Sequence, residues 1–340
     1  MTCSLLKRSQ WANLALLSLL LGSGCFHYRL GPSPRPPEAL PEAVSADYAR
    51  SRSNAPAELQ WQDKSPAKYR RAQIKLSSPV ASAMTNKTLD LEYYLPRKPS
   101  EKPMPVIIIL PISAGDQYPL ERHFARYFAR RGYAAVIVHR ESERDPETGE
   151  EINELLHQSI FDNLLVIDWL RTRDELDATR IGLLGTSMGA IKGSLLVAVD
   201  PRINAAVLAL AGGDLPYILS HSTEGRLRGG GIVGHRNAYL AIHHVTLEQF
   251  TDRLKETITC DPQSVAPSVD PNKVLLFLGA CDTIVPFRKG WELRRAMGEP
   301  ETVVMLSGHY TTLLYLLYIR STAFEFFRRH FDAKNRAVTP

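Results

Sequence analysis

The chain has 340 residues, of which 44% are hydrophobic and 23% charged, as in a globular protein with one large domain and appended segments. Its net charge of +5 is modest and no long basic run alternates with aromatic residues, so the sequence does not indicate a nucleic-acid-binding protein. Its cysteines, histidines and carboxylates show no metal-ligand spacing, and we expect no metal or other cofactor.

The N-terminus has the pattern of an export signal. Lys7 and Arg8 precede an apolar run at residues 11–22. This run is shorter than the roughly 20 residues that a helix needs to span a bilayer. We therefore expect this segment to direct export and then to be removed; a plain secretory signal is the alternative to the lipoprotein signal described next.

A cysteine follows the apolar run directly. Ser23 and Gly24 are small residues that precede Cys25, and this sequence resembles the lipobox of bacterial lipoproteins. The resemblance implies that residues 1–24 are a lipoprotein signal peptide and that Cys25 is lipidated with acyl chains such as palmitate. Several chains on one residue suffice for stable membrane anchoring. Phe26 after the cysteine favours the outer membrane, facing the periplasm.

Residues 25–68 are rich in Pro, Ala, Ser and Arg. Pro cannot join a sheet ladder or a helix interior, so this stretch is expected to be a semi-extended tether between the lipid anchor and the rest of the chain. The pattern changes at Tyr69, and the globular domain is predicted to span residues 69–333.

Within this domain, short apolar runs alternate with amphipathic segments. Strands are predicted at 72–77, 89–95, 105–110, 133–138, 181–184, 203–210, 274–279 and 301–306. Helices are predicted at 119–131, 152–173, 190–199 and 310–331. The first two strands can pair through a turn at residues 85–87. The later alternation of strands and helices predicts an α/β fold with a mostly parallel sheet flanked by helices on both faces.

Residues 212–262 interrupt this alternation. One helix is predicted at 240–258, and Arg226, Arg228 and Arg236 lie in or near a glycine-rich stretch. An insertion between two strands lies near the strand ends that carry chemistry, so we expect a small cap that shapes the substrate pocket. An ordinary surface insertion with no role at the site is the alternative. The arginines hint at a site for an anionic group, but we favour the interpretation that they lie in a solvated loop.

The most informative stretch is residues 180–199. Its sequence Gly185-Thr186-Ser187-Met188-Gly189 matches G-x-S-x-G and lies between an apolar, strand-like run and a helical segment. Strand, sharp turn and helix form the context of a nucleophile elbow, in which a strained serine exposes its hydroxyl. Glycines on either side remove the Cβ atoms that would collide where strand and helix pass. An ordinary glycine-containing turn is the alternative.

A serine hydroxyl needs a base, and the base needs an orienting acid. Asp282 and His309 each follow a predicted strand, at the sheet edge where open α/β sheets place their sites. The three residues occur along the chain in the order Ser, Asp, His. With this order and these positions, residues 69–333 resemble the α/β-hydrolase superfamily. The resemblance implies that Ser187 is the nucleophile, His309 the general base and later acid, and Asp282 its partner. Asp214 and Asp261 are the alternative acids.

The same resemblance implies two backbone N–H donors for the oxyanion. One is Met188, which follows the nucleophile. The other lies in the loop after the third strand, where Ile112 is the first candidate and Ser113 the second. This loop departs from the His-Gly-Gly-Gly sequence of some lipases and esterases, which leaves the substrate subclass open.

Two cysteines remain once Cys3 is removed with the signal and Cys25 is lipidated. Cys260 and Cys281 are an even pair in an oxidising compartment, which predicts a disulfide between them. Two free buried thiols are the alternative.

The whole pattern predicts an exported, lipid-anchored serine hydrolase that cleaves a carboxylic ester through an acyl-enzyme intermediate. A peptidase or an acyltransferase would use the same three residues. A catalytically silent envelope lipoprotein that serves as a binding platform is the alternative from another class of protein. The expected partners are a small-molecule or acyl substrate and, through the anchor, the membrane, but no nucleic acid; the oligomeric state is left open.

Overall fold

The structure is a computed structural model that describes residues 26–48, 57–61, 68–78, 88–98, 102–113, 117–140, 146–225 and 231–338. The predicted signal peptide with Cys25, the turn at residues 85–87, Arg226 and Arg228 lie outside the described residues. No helix in the described ranges is both long enough and apolar enough to cross a membrane.

One sheet organises the described part of the chain. Its strands are β1 (His27–Leu30), β2 (Ala57–Trp61), β3 (Tyr69–Ser77), β4 (Thr88–Pro96), β5 (Met104–Leu110), β6 (Ala134–Val138), β7 (Leu176–Thr186), β8 (Ile203–Ala209), β9 (Val274–Gly279) and β10 (Glu301–Met305). Their order across the sheet is β1-β10-β9-β8-β7-β5-β6-β4-β3-β2. Strands β5 to β10 pair in parallel, and antiparallel strands lie on either side of this block. The predicted mostly parallel sheet is confirmed.

Helices cover both faces of this sheet. They are α1 (Glu42–Tyr48), α2 (Pro119–Ala129), α3 (Gly149–Leu170), α4 (Met188–Val199), α5 (Leu215–His221), α6 (Gly231–His243), α7 (Leu247–Thr257), α8 (Pro262–Val265), α9 (Phe287–Ala296) and α10 (Leu316–Val338). Phenylalanines of α2 and α10 pack with Ile107 and Ile109 on one face. Leucines of α3, α4 and α9 pack with Val106 and Ile108 on the other. Strand β5 is buried on both faces, which explains its uninterrupted apolar sequence.

The N-terminal segment departs from the prediction of a tether. Strand β1 pairs antiparallel with the edge of β10, His27 opposite Met305. The proline-rich stretch that follows runs along the surface, where the N–H of Ser33 donates to the carbonyl of Glu299 at 3.1 Å. Helix α1 then buries Tyr48 against α3, with the tyrosine hydroxyl 2.7 Å from Nδ1 of His157. Residues 57–61 also join the sheet, as β2 pairs antiparallel with β3. Residues 26–48 and 57–61 therefore pack on the globular domain, and the tether prediction is wrong for them because it ignored pairing with strands of that domain.

A buried ion pair joins β4 to α2. The side chain of Glu92 is fully buried, and Nε of Arg122 lies 3.0 and 3.1 Å from its two carboxylate oxygens. The hydroxyl of Tyr94 donates to the same carboxylate at 2.7 Å. Burial alone would raise the pKa of Glu92, but the polar contacts from His139, Arg122 and Tyr94 outweigh it and hold this pKa far below its ordinary value.

Replacing Arg122 by Leu is expected to lower the free energy of unfolding by about 3 kcal/mol at neutral pH, because it leaves a buried carboxylate without its main partner. The depressed pKa of folded Glu92 means that its contribution is complete above the ordinary pKa of 4.5 and is lost as the pH falls below it. In urea unfolding, the free energy of unfolding of Arg122→Leu should therefore fall less than that of the wild type as the pH is lowered below 4.5. Arg126→Leu, at an exposed position of the same helix, is the control, and equal acid dependence in both variants would contradict the prediction.

Candidate active site

Ser187 occupies the turn between β7 and α4. Its φ of 54° and ψ of −119° lie where residues with a side chain are rarely found, as expected for a nucleophile elbow. A Cβ at Gly185 would lie 2.2 Å from the carbonyl oxygen of Gly189, and one at Gly189 would lie 2.2 Å from that of Leu110. The crowding expected around the serine is present, and it includes β5 as well as the strand and helix of the elbow.

The structure brings Ser187, His309 and Asp282 into one hydrogen-bonded line. Oγ of Ser187 is 2.9 Å from Nε2 of His309, and Nδ1 of His309 is 2.7 Å from Oδ2 of Asp282. Oδ1 of Asp282 accepts hydrogen bonds from the backbone N–H groups of Ile284 and Val285 at 2.9 and 3.0 Å. With Nδ1–H held by the carboxylate, Nε2 faces the hydroxyl as the acceptor of its proton.

The turn that carries His309 is fixed by side chains that the sequence analysis did not single out. The N–H of Gly308 donates to Oγ1 of Thr311 at 2.8 Å, and the hydroxyl of Thr312 donates to the carbonyl of Gly308 at 2.9 Å. Ser307 and Thr312 are buried, and their hydroxyls lie 2.7 Å apart. The polar run around the histidine in Ser307-Gly308-His309-Tyr310-Thr311-Thr312 was the available signal.

The two predicted oxyanion donors differ in outcome. Met188 is the first residue of α4, so its N–H lies among those that have no partner within the helix. The N–H of Ile112 instead donates to Oε1 of buried Glu121 at 3.0 Å, which corrects its prediction as a donor to substrate. Ser113, the second candidate, follows in the same loop and lines the cavity beside Ser187.

The alternative acids have other partners. Asp261 accepts hydrogen bonds from the N–H groups of Asp214 and Gln263 at 2.9 and 2.7 Å, and burial raises the pKa of its carboxyl. The carboxylate of Asp214 lies 2.7 Å from Nζ of Lys289. Both residues thus anchor the start of the insertion after β8, and the carboxylate facing His309 is that of Asp282.

The predicted disulfide is wrong, since Cys260 and Cys281 are both free. Cys260 is buried with its sulfur 3.9 Å from the hydroxyl of Tyr48, whereas Cys281 is exposed after β9. The two thiols lie against different elements, which the even count of cysteines could not reveal. Burial raises the pKa of the Cys260 thiol to about 12, so it stays protonated and unreactive at neutral pH.

Ser187 and His309 line a cavity of about 1090 Å³. Most of its lining side chains are apolar and come from the sheet-end loops, α3 and the insertion. They include Ile112, Leu156, Ile191, Ile218, Phe250 and Leu254. Among the residues that the structure describes, no group of His, Cys, Asp or Glu side chains is arranged to hold a metal ion.

The insertion between β8 and β9 consists of α5 to α8, and α6 and α7 both line the cavity. The single helix predicted at 240–258 is divided because His244 has a φ of 52° and Thr246 begins a new helix with a capping box. Nη1 of Arg236 donates to the carbonyl oxygens of Ser220 and Ser222 at 2.7 and 3.2 Å. This arginine therefore braces α6 against the end of α5, and the prediction of a solvated loop is wrong for it because it lies in a helix.

Replacing Gly189 by Ala is expected to lower the free energy of unfolding by about 3 kcal/mol, an overpacking effect. The new Cβ would meet the backbone carbonyl oxygens of Leu110 and Pro111 at 2.2 and 2.8 Å, and these cannot move without shifting the end of β5. In an uncrowded helix the same change would stabilise by about 1 kcal/mol, so the sign of the effect is diagnostic. Thermal unfolding would test this, with Gly31→Ala, whose Cβ meets open space, as the control.

The comparisons with known proteins agree with this geometry. The family model of the X-Pro dipeptidyl-peptidase (S15 family) matches residues 86–263, which is more than half of the chain and includes Ser187. The fold is similar to that of an acetyl xylan esterase from Paenibacillus sp. R4, with a TM-score of 0.61 and 16% identity over 82% of this chain and 92% of that one. It is also similar to acetyl xylan esterase 1 from Thermoanaerobacterium sp. JW/SL YS485, with a TM-score of 0.59 and 14% identity over 85% and 96%. A search of curated protein sequences gives no significant match. The chain therefore has the α/β-hydrolase fold and belongs to the X-Pro dipeptidyl-peptidase (S15) family of serine hydrolases.

Proposed function

We propose that this protein hydrolyses carboxylic esters through an acyl-enzyme intermediate, with Ser187 as the nucleophile. The observation that carries the proposal is the line from Ser187 to His309 to Asp282, with separations of 2.9 and 2.7 Å, at the wall of a largely apolar cavity. Each member has the neighbour that its role requires, and the nucleophile is held in the strained turn that exposes it.

In the acylation step, Oγ of Ser187 attacks the ester carbon while Nε2 of His309 takes the hydroxyl proton. The carbonyl electron pair moves onto oxygen, where the N–H of Met188 at the start of α4 stabilises the charge. His309 then passes its proton to the leaving alcohol as the C–O bond breaks. Water repeats the sequence on the acyl group, which releases the acid and restores Ser187. The carboxylate of Asp282 stabilises the charged imidazole.

Family membership makes X-Pro dipeptidyl-peptidase activity the second candidate. Such a substrate carries a free ammonium group that needs a carboxylate partner within the cavity. Glu224 lines the cavity, but its carboxylate already accepts hydrogen bonds from the N–H of Ile232 at 3.1 Å and from the hydroxyl of Tyr310 at 3.3 Å. Glu150, also in the lining, lies 3.9 Å from Arg253. Glu147 also lines the cavity, together with the cationic side chains of Arg140, Lys192 and Arg253. Because most of the other lining side chains are apolar, the lining as a whole favours an uncharged acyl group.

A substrate panel tests the choice between ester and peptide. We expect kcat/KM for p-nitrophenyl acetate and butyrate to exceed that for glycyl-prolyl-p-nitroanilide. The comparison should be repeated with an acyl acceptor alcohol present, so that transfer can be separated from hydrolysis. Faster cleavage of the prolyl anilide would assign the peptidase activity, and predominant ester formation would assign an acyltransferase.

Our proposal includes export and lipidation at Cys25, with the protein on the outer membrane facing the periplasm. The charged start, the short apolar run and the small residues before the cysteine support it. Expression in a bacterial host with a clickable palmitate analogue should label the wild type and leave Cys25→Ser unlabelled. Membrane fractionation of the same cells would locate the protein, and recovery of unlabelled wild type in the soluble periplasmic fraction would overturn this part of the proposal.

A further inference from the structure

Exposed apolar side chains cluster beside the mouth of the cavity. The cluster, named here the mouth patch, consists of Leu306, Tyr310, Leu313, Leu314 and Leu317, each more than 60% exposed. Tyr310 and Leu313 also line the cavity, so the patch is continuous with the site. Scattered exposed leucines are ordinary, but a contiguous group at the entrance of a site marks a surface that contacts something apolar.

The N-terminal end of the described chain lies against this patch. The carbonyl oxygen of Phe26 accepts a hydrogen bond from the N–H of Leu306 at 2.8 Å and another from the hydroxyl of Tyr315 at 3.1 Å. The ring of His27 lies 4.2 Å from that of Tyr318, centroid to centroid. Cys25 is bonded to Phe26 in the chain, so lipidation at Cys25 would attach acyl chains one residue before this contact with the patch.

The charge around the patch suits a bilayer surface. Residues 302–324, which carry the patch, contain no Asp or Glu, and Arg320 is their one Lys or Arg. A carboxylate from another part of the chain, that of Glu224, reaches the patch and accepts a hydrogen bond from the hydroxyl of Tyr310 at 3.3 Å. Leucines interspersed with tyrosines are typical of segments that lie in the membrane interface, where anionic headgroups repel carboxylates. The chemistry of the patch therefore matches a lipid surface better than a polar protein surface.

We propose that the mouth patch is the membrane-facing surface of this enzyme, and that its substrate is an amphipathic ester whose long acyl chain passes from the bilayer into the cavity. The substrate class rests on the proposed esterase function. The cavity is mostly apolar, and its volume of about 1090 Å³ lies just above the usual range of small-molecule sites, which leaves room for an extended acyl chain. Docking at the patch places the cavity mouth at the lipid surface.

The test uses the full lipidated chain reconstituted into vesicles of phosphatidylethanolamine and phosphatidylglycerol that contain p-nitrophenyl palmitate. The variant Leu306→Ser/Leu314→Ser/Leu317→Ser removes apolar area from the patch at three positions outside the cavity lining. We expect hydrolysis of the vesicle-borne ester to fall at least about tenfold, because the anchored variant would no longer hold its cavity mouth against the lipid surface through inserted leucines. Hydrolysis of soluble p-nitrophenyl acetate should not change. Ile242→Ser, at an equally exposed position on α6, is the matched control and should behave as the wild type.

Hydrogen exchange adds a direct readout of docking. Amides of residues 310–320 should be better protected in vesicles than in detergent, while those of residues 236–247 should not differ. The proposal would be overturned if the triple variant kept full activity on the vesicle-borne ester and the amides of residues 310–320 in the wild type were no better protected in vesicles than in detergent. The proposal would also be overturned if the wild type formed a dimer, and the triple variant lost the dimer but kept its activity on the vesicle-borne ester. A second copy of the chain would then be what covers the patch. Absence of hydrolysis of the soluble ester by the wild type would instead reject the esterase function itself.

Discussion

Replacing Ser187 by Ala should lower kcat/KM for p-nitrophenyl butyrate by at least about 10⁴-fold, or about 5.5 kcal/mol of transition-state stabilisation. The change removes the only atom that can form the acyl-enzyme, because Oγ is the group that lies 2.9 Å from Nε2 of His309. The rate that remains would come from substrate binding and the oxyanion donors. Steady-state kinetics on protein freed of contaminating esterases would measure the effect.

Ser194→Ala is the matched control for this experiment. Ser194 lies in α4, the helix that follows Ser187, and is fully buried. Its hydroxyl donates to the carbonyl of Ala190 at 2.8 Å, and its side chain does not line the cavity. We expect kcat/KM of this variant to stay within about threefold of the wild type. Loss of the Ser194 hydrogen bond should lower the free energy of unfolding by about 1 kcal/mol without affecting the chemical step. Equal losses in the two variants would indicate that damage to the helix, and not loss of the nucleophile, explains the result.

Replacing Asp282 by Asn should lower kcat by about 10⁴-fold at neutral pH with little change in KM, the second largest effect expected. An amide at this position can donate to Nδ1 of His309, which moves the ring proton to Nε2 and leaves no acceptor for the serine proton. The amide oxygen can still accept from Ile284 and Val285, so the turn should keep its shape. Comparing kcat with KM separates this loss of proton transfer from a loss of binding.

Asp214→Asn provides the control for the acid. Asp214 was an alternative acid from the sequence, and its carboxylate pairs with Lys289 at 2.7 Å. Loss of that pair is expected to cost about 1 kcal/mol or less of stability, because the aspartate is one-third exposed, and to leave kcat unchanged. A severe loss of kcat in Asp214→Asn together with a mild one in Asp282→Asn would reverse the assignment of the acid.

The parts of the site that depend on local sequence could be predicted. The elbow around Ser187 is specified by five consecutive residues and by the strand and helix that flank them. Asp282 and His309 could be found because parallel strands end at one edge of the sheet, so residues that follow different strands meet there. The apolar runs located the central strands for the same reason, since burial on both faces leaves a continuous signal.

The errors concern contacts between distant residues. Nothing near Ile112 shows that its N–H donates to Glu121 on the following helix. Strand β1 was missed because four residues acquire strand geometry only through pairing with β10, whose partner residues lie more than 270 positions away. The disulfide prediction failed because an even number of cysteines does not show that two of them lie close enough to bond.

The most direct measurement of the central claim is the mass-spectrometric location of a fluorophosphonate adduct on the folded wild-type protein. The phosphorus of this probe is attacked only by a serine whose proton has a base to receive it. We predict a single adduct, located on the peptide that contains Ser187, and none on Ser187→Ala. An unlabelled but folded wild type, or an adduct that persists in Ser187→Ala, would contradict the assignment of Ser187, His309 and Asp282 as a proton-transfer line.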